Sequence, residues 1–274
     1  MISVVVITYN RKALLQECLQ NLLAQDVSES YEIIIVDNAS TDGTQEHIRM
    51  LFKDHIRYMK NAHHIDLALC KELGVRSSAG NVIAFTDDDC IVAPGWLENI
   101  CASMKDYDVV GGVVLPVEGV RFPSWWRHSL EWIVGINSDP GRHFLPLGSN
   151  IAFRREAFKT LGTSAVRPSF GPYGEDNARL MASLKAGYTL GINKDMIVYH
   201  HIGDERLRLS FFIRRSYREG QCLAQREPVF SIFLSMIVAF LTNPFRFLLT
   251  WDMNRLFRMC VNAGYVVTYF SGKR

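Results

Sequence analysis

Three consecutive carboxylates, Asp87, Asp88 and Asp89, follow the apolar run Val82–Phe85. Like charges packed at the tip of a buried strand repel. A fold tolerates them where a cation or several hydrogen-bond donors lie between. Oxygen ligands of this kind suit a hard divalent cation, Mg²⁺ or Mn²⁺, shared with the phosphates of a bound molecule. Solvated acidic turns are common, but two further polar stations also stand at strand ends here. Thr8-Tyr9-Asn10 follows the first apolar run. Asp37-Asn38 follows the second and continues into Ala39-Ser-Thr-Asp-Gly-Thr44. In an open α/β sheet, ligands bind outside the carboxyl ends of the strands. A nucleotide suits this layout. Asp accepts hydrogen bonds from a base edge or a ribose hydroxyl, loops supply backbone N–H groups, and a metal neutralises a pyrophosphate.

The elements that hold these stations follow from hydrophobic periodicity. Ile2–Thr8 and Tyr31–Asp37 read as strands. Leu14, Leu15, Cys18, Leu19, Leu22 and Leu23 recur at helical spacing over residues 11–25. The turn Thr41-Asp42-Gly43 leads into a helix ending near Phe52. A short strand Ile56–Met59, a helix Leu67–Ser77 and the strand Val82–Thr86 come next, and Pro94-Gly95 opens another helix. Strand and helix alternate, which predicts an α/β fold. The expected form is a Rossmann-like, mainly parallel sheet with helices on both faces and right-handed crossovers. After Val109–Val114 the rhythm breaks. Residues 115–147 contain Pro116, Pro123, Pro140 and Pro146 with Trp125, Trp126 and Trp132, either a cap on the core or a wall of a binding cleft. Order returns with a strand Asn150–Phe153 and a helix Glu156–Leu161. A Gly/Pro-rich loop, Phe170–Gly174, then precedes a helix from Glu175-Asp176 to about Ala186.

Hydrophobic residues make up 48% of the 274, enough for a sizeable core and against global disorder. The 6 Cys form no C-x-x-C pair, which argues against a structural zinc site. Their scatter suits reduced thiols in a cytosolic setting, and the opening strand does not read as a signal peptide. Charge is uneven. Residues 206–274 carry 11 Lys+Arg against 3 Asp+Glu, whereas residues 1–205 carry 19 against 25. The basic part therefore faces something anionic. Its apolar content favours a membrane surface over nucleic acid. Leu207–Gln225 reads as a basic amphipathic helix. Val229–Leu241, interrupted by Asn243-Pro244 and resumed by Phe245–Trp251, is too short and broken to span a bilayer. A re-entrant or interfacial hairpin fits this pattern, with a buried core helix as the alternative. The expected division is therefore a catalytic domain over 1–205 and a basic, apolar helical extension over 206–274. That extension would associate peripherally with the cytoplasmic face of the cell membrane, and self-association through it is compatible with its composition.

Five runs, in this order, carry a family resemblance: VVVITYNR, EIIIVDNASTDGT, GNVIAFTDDDCIVAPGWL, LGSNIAFRREAF and GPYGEDNARLMASLKAGY. Over roughly residues 1–225 the chain resembles the family 2 glycosyltransferases, inverting enzymes of the GT-A fold that use nucleotide sugars. The resemblance implies a hexosyl or related transfer from a nucleotide-sugar donor, a UDP-sugar above all, to a glycan or lipid-linked acceptor in bacterial cell-surface polysaccharide or glycolipid synthesis. It implies that Thr8, Tyr9, Asn10, Asp37, Lys71, Asp87 and Asp88 bind the donor, and that Asp89, Asp87 and His200 hold the divalent cation. Asp176, beside Glu175, would be the general base. His201 adjoins His200 and competes with it for the metal role. Trp125, Trp126, Arg214 and Arg215 are the candidates for the acceptor.

One stretch departs from the family pattern. Where family members commonly show Ala-Arg-Asn-x-Gly, this chain has Cys70-Lys-Glu-Leu-Gly74. Lys71 is a point charge without the bidentate fork of arginine, and Glu72 replaces a neutral side chain. Three rival readings follow from the residues. A sugar nucleotidyltransferase needs a glycine-rich phosphate loop after the first strand, and Thr8–Ala13 has no glycine. An aspartyl-nucleophile phosphatase needs Asp where Thr8 stands. A catalytically impaired scaffold at a membrane surface is the third, suggested by Lys71 and Glu72.

Overall fold

The computed structural model describes residues 1–141, 145–160, 175–226 and 253–271. Eight strands, β1 (Ile2–Thr8), β2 (Tyr31–Asp37), β3 (Arg57–Lys60), β4 (Val82–Asp87), β5 (Cys90–Val92), β6 (Val109–Pro116), β7 (Ile151–Arg154) and β8 (Leu190–His200), form one sheet. Their order is β3-β2-β1-β4-β7-β6-β8-β5. The four strands from β3 to β4 run parallel, as do β6 and β8. β7 lies antiparallel between β4 and β6, and β5 is antiparallel to β8. The mixed character enters where periodicity loses its rhythm. A short helical crossover returns a strand parallel, but the long segment between β6 and β7 imposes no direction.

Period-two alternation divides the core between the two faces. Val4, Val6, Ile33 and Ile35 face α1 (Lys12–Leu23), α2 (Thr44–Phe52) and α4 (Trp96–Ser103), through Leu15, Leu19, Leu22, Ile48, Trp96 and Ile100. Val5, Ile34, Val36 and Phe85 face the other way, onto α3 (Leu67–Ser77), α5 (Arg155–Lys159) and α6 (Glu175–Lys185). Helices thus cover both faces of the sheet. A buried Asn150 ties the elements together ahead of β7. Its Oδ1 accepts from Trp96 Nε1 at 2.9 Å, and its Nδ2 donates to the carbonyls of Val113 and Met196 at 2.8 Å each. A buried amide with its donors and acceptor satisfied fixes register rather than costing stability.

The described residues fall into two compact units. The first comprises those of Met1–Val117, Ile136–Val166 and Glu175–His201, and the second those of Glu118–Gly135 and Ile202–Arg274. The second unit contains a 3-10 turn, His128–Val134, and the helices α7 (Leu209–Arg226) and α8 (Met253–Ser271). α7 and α8 pack backbone to backbone, because Gly220 faces the Val261 carbonyl and Gly264 faces that of Tyr217, leaving no room for a Cβ. Leu130, Ile133, Phe212 and Met253 form its core. Along the α7–α8 pair runs an apolar groove of about 540 Å³, lined by Ile213, Tyr217, Leu256 and Met259 with Arg214 and Arg218. Among the described residues no helix is long and apolar enough to cross a membrane. The loop Phe170–Gly174 and the apolar segment Val229–Trp251 lie outside the described residues.

Candidate active site

The register of the parallel strands assembles the three polar stations. Thr8 pairs with Asp37 across β1 and β2, and Ile7 with Asp87 across β1 and β4. Asp37 is fully buried. Its Oδ1 accepts from Ser40 N at 2.7 Å and its Oδ2 from the Tyr58 hydroxyl at 2.5 Å. Asn10 adopts a left-handed conformation (φ 53°) that asparagine tolerates. Its N–H donates to Ser40 Oγ at 2.9 Å and its Oδ1 accepts from Thr41 N at 2.7 Å. The loops after β1 and β2 are thereby bound together. Tyr9 is exposed and meets His64 edge to face.

The Asp cluster has a positive partner that sequence reasoning left without a role. Arg11 Nη1 lies 2.8 Å from Asp88 Oδ1 and 2.8 Å from Asp89 Oδ2. Thr8 Oγ1 donates to Asp88 Oδ2 at 2.7 Å. Burial pushes the Asp88 carboxyl up to about 6, against the pull of Arg11. Arg11 was legible only as the last residue of Thr8-Tyr-Asn-Arg11, and its carboxylate partners lie some 77 positions away.

His200 reaches this cluster through β5. The antiparallel pair β5–β8 sets Cys90 opposite His200, which places His200 Nε2 3.3 Å from Asp89 Oδ1. His201 turns instead to Glu17, at 3.0 Å. Two cis ligands on an octahedral ion at about 2.1 Å stand roughly 3.0 Å apart, so Asp89 Oδ1 and His200 Nε2 fit adjacent positions on a hard divalent cation. Cys90 Sγ belongs to the same group of atoms. Burial pushes that thiol up, and a protonated sulfur is a poor ligand for such an ion. Asp87, the third expected ligand, is not in that group, and Asp89 with His200 alone would leave most of the coordination shell to other oxygens.

A second charged cluster opens α6. Lys71 of α3, Glu175 and Arg179 are almost wholly buried, and Asp176 is about a third open to solvent. Lys71 Nζ pairs with Asp176 Oδ1 and lies 3.1 Å from Glu175 Oε2. Arg179 holds Glu175 Oε1 at 3.3 Å and Glu72 at 2.8 Å. The unusual Lys71-Glu72 pair is therefore built into α6, each residue meeting an opposite charge there. Burial opposes the Lys71 ammonium, but Asp176, Glu175 and Asp87 outweigh it and keep it charged. Burial likewise works to raise Glu175, and Lys71 and Arg179 overcome it and hold that carboxyl low. Asp176 moves the other way. Burial raises it above the ordinary carboxylate range, Lys71 opposes, and the Glu175 charge adds to the rise. Water at its open side tempers this. Gly148 is a further residue without a role in the sequence reading. It stands so close to the Asp176 carboxylate that a Cβ there would overlap it unless that side chain moved. Asp87 acts electrostatically on Lys71 and Asp176 on one side and on Arg11 on the other, so the two clusters adjoin.

The acceptor candidates lie in the second unit. Trp125 and Trp126 pack edge-on against Phe212, and Phe122 stacks on Trp126. Arg215 is buried over Trp132 and paired with Glu219 at 3.3 Å, whereas Arg214 is exposed at the groove.

A solved protein shares this architecture, and other proteins resemble the chain in sequence. A mannosyltransferase from Pyrobaculum calidifontis, PcManGT, solved in complex with GDP-Man and Mn²⁺, superposes with a TM-score of 0.67 at 19% identity, covering 100% of this chain and 88% of its own. A glucosyl-dolichyl phosphate glucuronosyltransferase of Haloferax volcanii is 26% identical over 80% of this chain and 75% of its own length. The glycosyltransferase AglE of the same organism is 25% identical over 97% and 89%. The family model described as glycosyl transferase family 2 matches residues 3–162, more than half of the chain. With a GT-A-like fold, strand-end carboxylates and this match together, the chain belongs to glycosyl transferase family 2 and is a glycosyltransferase.

Proposed function

We propose that the protein moves a sugar from a nucleotide-diphosphate donor to an acceptor hydroxyl with inversion at C1, Asp176 serving as the base. The observation that carries this reading is the asymmetry of the acidic pair. Glu175 has both oxygens engaged by Lys71 and Arg179 and is buried, so it is structural. Asp176 is partly open, raised, and within electrostatic reach of Asp87 of the donor cluster. A base must reach its proton and hold it.

Thr8, Tyr9, Asn10 and Asp37 bind the nucleoside side, and Asp87 and Asp88 the ribose and diphosphate side. Asp89 and His200 hold a divalent cation, which when bound offsets the charge developing on the leaving diphosphate. The acceptor oxygen bonds to C1 as the C1–phosphate oxygen bond breaks, and that electron pair leaves with the diphosphate. The acceptor proton passes to Asp176. Lys71 keeps the Asp176 carboxylate in place before the acceptor arrives.

The acceptor is a glycan or lipid-linked saccharide, a UDP-sugar is the favoured donor, and the product feeds surface polysaccharide or glycolipid synthesis. The cationic α7 and its apolar groove support attachment to an anionic membrane surface, and the cytoplasmic face is the side we propose. The testing experiment is a panel of UDP- and GDP-sugars assayed for metal-dependent release of nucleoside diphosphate, with the product anomer read by NMR. Retention of configuration, or full turnover in excess EDTA, overturns the reading.

A further inference from the structure

Asp89 is contested. Its Oδ1 faces His200, and its Oδ2 is held by Arg11. Asp88 is not contested in the same way, since Thr8 Oγ1 anchors its second oxygen independently of Arg11. Both carboxylates are at most 5% exposed, whereas the Arg11 side chain is 39% exposed. The cation that neutralises the buried pair therefore comes from the open side and can leave by it. The backbone beneath stays put, because Asn10 is bonded to Ser40 and Thr41. One guanidinium nitrogen, Nη1, serves both carboxylates. The other donors of the fork remain for an anion, a geometry suited to phosphate.

We propose that Arg11 is a built-in counter-cation. It holds Asp89 in the free protein, competes there with the divalent cation, and passes to the donor diphosphate when that cation takes Asp89. Metal and nucleotide then load together rather than in either order. This rests on the reading that Asp89 and His200 hold a divalent cation. The sign follows from charge alone. Three adjacent carboxylates with one arginine removed attract a dication more strongly, and a like charge a few ångströms away no longer repels it.

The test is titration of Mn²⁺, followed by the EPR signal of the free ion at pH 8, with no nucleotide, with UDP and with GDP. The wild type should bind Mn²⁺ weakly alone and much more tightly with a nucleoside diphosphate. Arg11→Gln should bind Mn²⁺ alone at least ten-fold more tightly than the wild type, with a smaller further gain from nucleotide. Arg11→Lys, which keeps the charge, should stay within about three-fold of the wild type. Equal or weaker Mn²⁺ binding by Arg11→Gln overturns the proposal, as does equal tightening in Arg11→Lys. Should Arg11→Gln fail to fold, phenylglyoxal labelling of the wild type replaces it. Labelling of Arg11 must rise with Mn²⁺ alone and fall when UDP or GDP is added, and an unresponsive Arg11 refutes the exchange. Wild-type binding that disappears in Asp89→Asn, with Arg11→Gln no tighter, removes the role of Arg11 alone. No Mn²⁺ binding by any form, with either nucleotide, removes the metal site and this proposal with it.

Discussion

Adding one methyl group at Gly148 tests whether Asp176 is the base without touching Asp176 chemically. The φ of Gly148 lies outside the left-handed region, so alanine is compatible with the backbone there. A Cβ at this position would overlap the Asp176 carboxylate and would stand 2.9 Å from even the farther oxygen, Oδ1, whereas ordinary contact begins at 3.4 Å. For its nearer oxygen to clear the methyl, the carboxylate must retreat by about 1.5 Å, and misplacing a reacting group by 1 Å costs on the order of 10²-fold. The moving atoms are the end of a side chain, so the fold should survive with a loss of no more than about 1–3 kcal/mol. Gly148→Ala should thus lower kcat on the order of 10²-fold, with donor affinity and melting cooperativity kept. The assay is steady-state release of nucleoside diphosphate, coupled to calorimetric titration with that nucleotide. The double variant Gly148→Ala/Asp176→Asn should be no slower than Asp176→Asn alone, because both changes act through one group. A Gly148→Ala protein with near-normal kcat refutes this placement of the base. Additive losses in the double variant would show that Gly148 acts elsewhere.

Asp176→Asn should cost about 10²–10⁴ in turnover with nucleotide binding unchanged; normal transfer by it, with loss in Glu175→Gln, would move the base to Glu175. Because burial raises the Asp176 carboxyl and Lys71 lowers it, kcat/KM should rise with pH along an acid limb above the ordinary carboxylate range. Lys71→Met should push that limb to still higher pH, and an unshifted or lower limb contradicts the pairing. Glu175→Gln leaves buried Lys71 and Arg179 with Asp176 and Glu72 as counter-charges and should destabilise by about 1–3 kcal/mol in urea unfolding; no measurable change would show the pair is not structural. Anionic liposomes should sediment the protein and high salt should release it, whereas a protein indifferent to both has no membrane-binding extension.

Local pattern alone determined the first half of the sheet and the positions of the strand-end stations. β1, β2 and β4 are continuous apolar runs closed by polar residues, and the intervening helices carry their own periodicity, so direction and order follow from short crossovers. The same locality made Asp37 and Asp87–Asp89 visible as chemistry at the ends of strands, whereas the Glu175-Asp176 pair was singled out by the family resemblance. Tertiary structure decided which of these groups meet. His200 rather than His201 faces Asp89 because a three-residue strand, β5, too short to show a period, pairs Cys90 with His200. The reversal of β7 follows a long segment that carries no helical signal of direction. Lys71 looked like a donor contact on its helix, and only burial against α6, 105 positions on, commits its charge to Asp176. Arg11 and Gly148 acquire roles for the same reason. A side chain's type states what it can do, but its partner is set by packing between segments far apart in the chain, which neither spacing nor periodicity encodes.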